Sequence, residues 1–268
     1  MKDKVVIITG ASSGIGKALA FEMGNRGAIV VLAARSEDKL VEIESEMKAS
    51  GVRVLAVKTD VSLEADCRKL IDVTFEKFDR IDVLVNNAGI SMRALFEQVD
   101  LEVIHRLMNV NFWGTVYCTK FALPYLLQTK GSVVGVSSIA GFKGLPGRTG
   151  YTASKFAIQG FLETLRIENL KKGLHVLIAC PGFTSSNIRN AALAADGSSQ
   201  GESPRNEESM MKAEDVAVQI ADAIVKRKRI LIMTLLGKLI VLINKIFPFF
   251  MDRMVYNQLA KEPDSPFK

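Results

Sequence analysis

Only two histidines, His105 and His175, occur in the 268 residues, which leaves little material for a histidine-ligated metal or a Ser-His-Asp triad. Both read as helix-surface or core residues. Cysteine is as scarce: Cys67, Cys118 and Cys180 are odd in number, far apart and without a second cysteine at metal spacing. They read as reduced, buried, intracellular thiols, and no metal site is expected. The net charge of +6 is spread along the chain instead of gathered into one arm, so nothing points to nucleic acid. No signal peptide is expected from the opening residues, because Met1-Lys2-Asp3-Lys4 runs straight into Val5-Val6-Ile7-Ile8, read as a strand that Thr9-Gly10 ends. What is plentiful is apolar residue, 48% of the chain, enough to fill the core of one large domain.

The apolar residues fall into short runs rich in Val, Ile, Leu and Ala at 4–9, 28–33, 52–58, 81–85, 131–137, 174–179 and 230–234. Nearly continuous runs of this kind belong to strands covered on both faces. Between them lie stretches with helical spacing at 14–26, 37–50, 64–79, 100–128, 151–171 and 213–227. Strict alternation of strand and helix predicts an α/β fold, a doubly wound (Rossmann) seven-stranded parallel sheet with strand order near 3-2-1-4-5-6-7. Residues 1–234 are expected to form the nucleotide-binding catalytic unit, with a small, polar lid loop at 183–212, and 235–268 an apolar helical extension.

The first strand meets the first helix through Thr9-Gly10-Ala11-Ser12-Ser13-Gly14-Ile15-Gly16. Gly10 permits a tight turn, Gly14 lets backbone N–H groups approach a pyrophosphate, and Gly16 lets the helix sit close to the sheet. In a βαβ setting this glycine spacing reads as a dinucleotide turn. The second strand ends in Ala33-Ala34-Arg35, with no carboxylate to hold a ribose 2′-hydroxyl. An arginine there can pair with a 2′-phosphate, which favours NADP over NAD.

Tyr151 and Lys155 lie four apart at the start of a helix and share a face. To work as acid and base near neutrality, a tyrosine must fall about three units from its usual value, about 4 kcal/mol. One ammonium about 4 Å away supplies about that much at an effective dielectric of 20. Ser137 and Ser138 follow the strand 132–136, at the edge where open α/β sheets bind ligands, and Ser138 is placed to hold a substrate oxygen. The segment Gly135-Val136-Ser137-Ser138-Ile139 lacks the second glycine of a hydrolase elbow.

These motifs together resemble the short-chain dehydrogenase/reductase family from the first strand to at least residue 234. The resemblance rests on Thr9 to Gly16, Asn86-Asn87-Ala88-Gly89, Asn111 in the helix before the serine strand, Ser138 with Tyr151-x-x-x-Lys155, and Pro181-Gly182. It implies a catalytic tetrad of Asn111, Ser138, Tyr151 and Lys155, with Asn111 holding a water in the proton path and Lys155 also bonding the nicotinamide ribose. It also implies cofactor contacts from Gly10, Ser12, Ser13, Gly14, Ile15, Gly16, Arg35, Asp60, Val61, Asn87, Ala88, Gly89, Tyr151, Lys155, Pro181 and Gly182. Asp60 and Val61 would border the adenine, and Ser186 stands where the family often has a threonine for the carboxamide. Within the family, 116–127 and 132–141 are most similar to the branch near 11-beta-hydroxysteroid dehydrogenase.

The reading that follows is an NADP(H)-dependent oxidoreductase acting on a bulky apolar, lipid- or steroid-like carbonyl or alcohol. It is expected to be cytoplasmic and a homodimer or homotetramer. A regulator that senses NADP without turnover is the alternative from another class. Residues 235–260 follow the basic run Lys226-Arg227-Lys228-Arg229; Lys238, Lys245 and Pro248 interrupt them too often for a membrane span. Their apolar surface is read either as packing on the domain or a partner subunit, or as peripheral contact with a membrane beside the basic run.

Overall fold

The computed structural model describes residues 1–185, 188–201, 210–262 and 265. The chain runs β1 (Val5–Thr9), α1 (Gly14–Asn25), β2 (Ile29–Ala34), α2 (Glu37–Ala49), β3 (Val54–Lys58), α3 (Glu64–Phe78) and β4 (Val83–Asn86). It continues through α4 (Leu101–Leu107), α5 (Gly114–Gln128), β5 (Ser132–Val136), α6 (Thr149–Glu168), β6 (His175–Cys180), α7 (Ala213–Val225) and β7 (Ile230–Ile232). Two helices close it, α8 (Leu235–Ile246) and α9 (Pro248–Ala260), broken where Pro248 starts the second.

All seven strands pair in parallel, in the order β3-β2-β1-β4-β5-β6-β7 that the alternation predicts. Period-two alternation splits the strand residues between two helical layers. Val6, Ile8, Val30 and Leu32 pack with α1, α2 and α7, while Val5, Ile7, Val31 and Leu84 pack with α3, α5 and α6. A small third cluster, Met92, Ala94, Val99, Val103, Leu107 and Leu193, lies beyond the carboxyl edge of the sheet. It ties the lid segment to the loop after β4, where Leu193 N–H donates to Ser91 and Arg93 N–H donates to Leu193, both at 2.9 Å.

The two histidines lie apart, one on the surface and one in the core. His105 is exposed on α4, and His175 is buried at the start of β6, with Nδ1 2.9 Å from Ser132 Oγ and Nε2 2.8 Å from the Lys228 carbonyl. Burial lowers the His175 pKa, so the ring stays a neutral bridge between strands. The three cysteines are free and buried.

One expectation about the surface needs correction. The run 226–229 lies at the amino edge of the sheet, because the Arg227 guanidinium donates to the carbonyls of Lys130 and Gly173, just ahead of β5 and β6, at 3.1 and 2.7 Å. The apolar helix α8 starts from the opposite, carboxyl edge, so the two do not form one surface. Among the described residues no helix is long and apolar enough to cross a membrane.

Candidate active site

The carboxyl ends of β1 to β6 line one continuous cleft, with residues from 10–15, 34–36, 59–61, 87–91, 136–138 and 181–184. Its floor is shaped by the glycine turn. Gly10 and Gly14 both take positive φ, +65° and +52°, which side chains rarely adopt. A Cβ on Gly16 would stand 2.2 Å from the Gly10 carbonyl, so only glycine lets α1 sit this close to the turn. Thr9 Oγ1 accepts from the N–H groups of Asn87 and Ala88, both at 3.0 Å, and Asn87 Nδ2 donates to the Thr9 carbonyl at 2.9 Å. The β1 and β4 loops are thereby locked side by side.

This cradle fits a dinucleotide on the chain's own geometry. Ser13, the residue that enters α1, makes no side-chain bond to the helix, and the first turn holds no acid. The N–H groups there face the cleft with their partial positive charge unspent, as an anion requires. Arg35 is exposed at the end of β2, lines the cleft and makes no ion pair within the described residues. At the third strand end, Asp60 accepts from Ser62 N–H at 3.0 Å while its own N–H donates to Asp66, which fixes the Asp60-Val61 turn.

On the substrate side, Ser138, Tyr151 and Lys155 all line the cleft. Ser138 Oγ accepts from Ala140 N–H at 3.2 Å, capping a short turn at Ile139–Gly141. Capping uses a lone pair and leaves the hydroxyl proton for another acceptor. The Ser138 hydroxyl stands near enough to the Tyr151 phenol to work toward lowering its pKa. Lys155, one turn further along α6, donates from Nζ to the Val136 carbonyl at 2.9 Å and lies 5.6 Å from the centre of the Tyr151 ring.

Asn111 stands behind the cleft instead of lining it. It is fully buried in a single π turn, Met108–Trp113, between α4 and α5, and such turns are frequent at functional sites. Its Nδ2 donates to Ile90 O at 3.0 Å and Ser154 Oγ at 2.9 Å, and its Oδ1 accepts from Ile90 N–H at 2.8 Å. Both amide protons are therefore spent on the protein, and any water there would meet an Asn111 oxygen. A Cβ on Gly89 would lie 3.3 Å from Asn111 Oδ1 and 3.6 Å from Lys155 Nζ, so the bare glycine separates the two.

The electrostatics depart from the sequence estimate. Burial holds the Lys155 ammonium down to about 8, with no carboxylate beside it. Burial also dominates at Tyr151 and pushes the phenol up, against the nearby Ser138 hydroxyl and the charge of Arg148, which work to lower it. The expected lowering by Lys155 is thus corrected: in the protein alone the phenol stays protonated, and Arg148 is the cation that acts on it. Cys180, at the end of β6, is raised to about 12 by burial and stays a thiol.

Arg148 was not visible as a site residue from its motif context. It precedes α6, lines the cleft, and pairs with Glu262 from the segment after α9 at 3.5 Å; Arg93 joins the same carboxylate at 3.7 Å. The sequence-expected Pro181 and Gly182 line the cleft, whereas Ser186 lies outside the described residues. Among those described, no cluster of His, Cys, Asp or Glu could hold a metal.

Comparison with known proteins agrees with this architecture. A model described as short chain dehydrogenase matches residues 4–196. A protein of Sesamum indicum named 11-beta-hydroxysteroid dehydrogenase A is 46% identical over 187 residues, 69% of this chain. The match covers 53% of that relative, so the chain spans about half its length. An alcohol dehydrogenase from the archaeon Thermococcus sibiricus, solved with 5-hydroxy-NADP, superposes with a TM-score of 0.76 at 27% identity, covering 86% of this chain and 94% of that one. A short chain dehydrogenase/reductase from Burkholderia phymatum, solved with NAD, gives 0.79 at 25% identity over 100% and 98%.

Proposed function

The chain belongs to the short chain dehydrogenase family, and from that premise we propose that it is an NADP(H)-dependent oxidoreductase interconverting a ketone or aldehyde and an alcohol on a bulky apolar substrate. The observation that carries the reading is the meeting of Tyr151, Ser138 and Lys155 at the carboxyl edge of the sheet, beside a glycine cradle for a dinucleotide. Gly10 to Ile15 would hold the pyrophosphate, Arg35 a 2′-phosphate, Asp60 and Val61 the adenine, and Asn87, Lys155, Pro181 and Gly182 the nicotinamide half. The bound nicotinamide supplies or takes the hydride.

The protein's part is proton transfer and orientation. Ser138 donates to the substrate oxygen and fixes it beside Tyr151, whose protonated phenol delivers its proton as the oxygen gains charge. Lys155, held by Val136 and 5.6 Å from the Tyr151 ring centre, would bond the nicotinamide ribose, while the Arg148 charge favours the phenolate left behind. Asn111 fixes Ile90 and Ser154, and so the loop after Gly89 and the α6 turn carrying Tyr151. A homodimer or homotetramer is part of the proposal, supported by the exposed Trp113, Phe156 and Ile167 near and along the long helices.

The test is a panel of ketones and alcohols, from small polar to bulky apolar, assayed by cofactor absorbance with each nicotinamide cofactor. Turnover favouring apolar ketones with NADPH is expected. Cofactor binding without turnover on any substrate would support the regulatory alternative.

A further inference from the structure

Helix α8 is apolar on both sides: half-buried Ile240 and Val241 face inward, and a second apolar stripe faces outward. Its inner face also holds Gly237, where a Cβ would meet Ile139 Cδ1 at 2.8 Å, and Asn244, whose amide donates to the Phe142 carbonyl at 3.1 Å. Its outer face carries Leu235, Leu239, Leu242 and Ile246, a stripe spaced four, three and four residues apart, with Leu235 74% exposed and Leu242 56%. Phe249, 82% exposed, and Phe250 extend the stripe past the break into α9. The helix is nevertheless well built: Thr234 Oγ1 caps it by accepting from Gly237 N–H at 3.0 Å. A firmly anchored helix that turns an apolar side outward needs a cover.

Charge identifies the cover. Lys238 and Lys245 flank the stripe, Arg253 follows it, and all three are exposed with no ion pair among the described residues. The described acids of the same segment are already engaged, Asp252 with Lys143 and Glu262 with Arg93 and Arg148. A second copy packed on the same patch about a two-fold axis would set these cations against their own duplicates, with no acid opposite. An anionic lipid surface satisfies both halves of the pattern, taking the apolar stripe into the acyl boundary and the cations among the headgroups.

We propose that the outer face of α8, with Phe249 and Phe250, is a docking surface for an anionic membrane. The basic run 226–229, at the far edge of the sheet, takes no part. Because α8 rests on Ile139 and Phe142, in the stretch between Ser138 and Tyr151, docking would set the substrate side of the cleft close to the bilayer. That consequence for substrate delivery rests on the apolar-substrate reading above; the docking itself does not.

The experiment is flotation of the full chain with vesicles of phosphatidylcholine mixed with phosphatidylglycerol, against phosphatidylcholine alone. Partition onto the mixed vesicles is expected. It should be lost in Leu239→Glu/Leu242→Glu and reduced several-fold in Lys238→Gln/Lys245→Gln, with circular dichroism and NADPH binding retained in both. Failure of the full chain to float with mixed vesicles, equal flotation with both vesicle types, or a dimer that the leucine substitutions split would each overturn the proposal. Flotation can succeed with no ketone turned over, so the two readings fail separately.

Discussion

The Glu262 carboxylate lies 3.5 Å from the Arg148 guanidinium, so the end of the chain is tied to the residue three before Tyr151. Both side chains are largely buried, and Arg148 lines the cleft just before α6. The Arg148 charge works to lower the Tyr151 pKa, so a change in its counter-ion is expected to reach the proton donor.

Glu262→Gln should therefore strengthen the field of Arg148 at the phenol, lower the Tyr151 pKa, and move the alkaline loss of reductase activity to lower pH. Arg148→Gln should move it the other way, and Glu262→Gln should add nothing in the Arg148→Gln background. The pH profiles of kcat/KM decide this; limbs that coincide in all variants would show that the pair only supports the loop.

Lys155 makes stability depend on pH. Its pKa falls from 10.5 to about 8 on folding, so between those values the unfolded chain binds the proton that the folded one has lost. The cost of burying the charge is fully present below about pH 8 and is relieved as pH rises toward 10.5, by up to about 3 kcal/mol. Urea unfolding of cofactor-free protein should show this gain relative to Lys155→Met. Parallel pH dependences for the two would contradict it.

Arg35 is expected to set cofactor choice. NADPH should bind more than tenfold tighter than NADH, about 1.4 kcal/mol. Ala34→Asp with Arg35→Ala should reverse the order. Titration calorimetry giving equal affinities in the parent protein would remove the case for NADP.

Asn111→Ala leaves the half-buried Ile90 N–H without its acceptor and releases the buried Ser154 hydroxyl. Such losses cost about 1–3 kcal/mol each at a buried group. The melting temperature should fall, and turnover should fall further than the folded fraction at the assay temperature explains. Wild-type turnover at a reduced melting temperature would confine Asn111 to a structural role.

The sheet was legible because its central strands are buried on both faces and therefore read as nearly continuous runs of Val, Ile, Leu and Ala. Tyr151 and Lys155 were legible because four residues of helix put them on one face. The π turn was not, since Met108–Trp113 continues the periodicity of the helices on either side. Nor was Glu262, whose pairing with Arg148 exists only after α9 folds back over the loop. The Tyr151 pKa was misjudged because the energy estimate counted the neighbouring ammonium and left out desolvation of the phenol itself.

The central claim is that Tyr151 moves the proton, and the most direct measurement is turnover and cofactor binding of Tyr151→Phe, side by side with the parent protein on an apolar ketone. Removing a positioned acid should cost about a hundredfold to ten-thousandfold in kcat. NADPH affinity should stay within a few-fold, because the hydroxyl contributes little to the cradle formed by Gly10 to Gly16. Loss of turnover with binding retained is the predicted result; turnover near that of the parent protein would contradict the account.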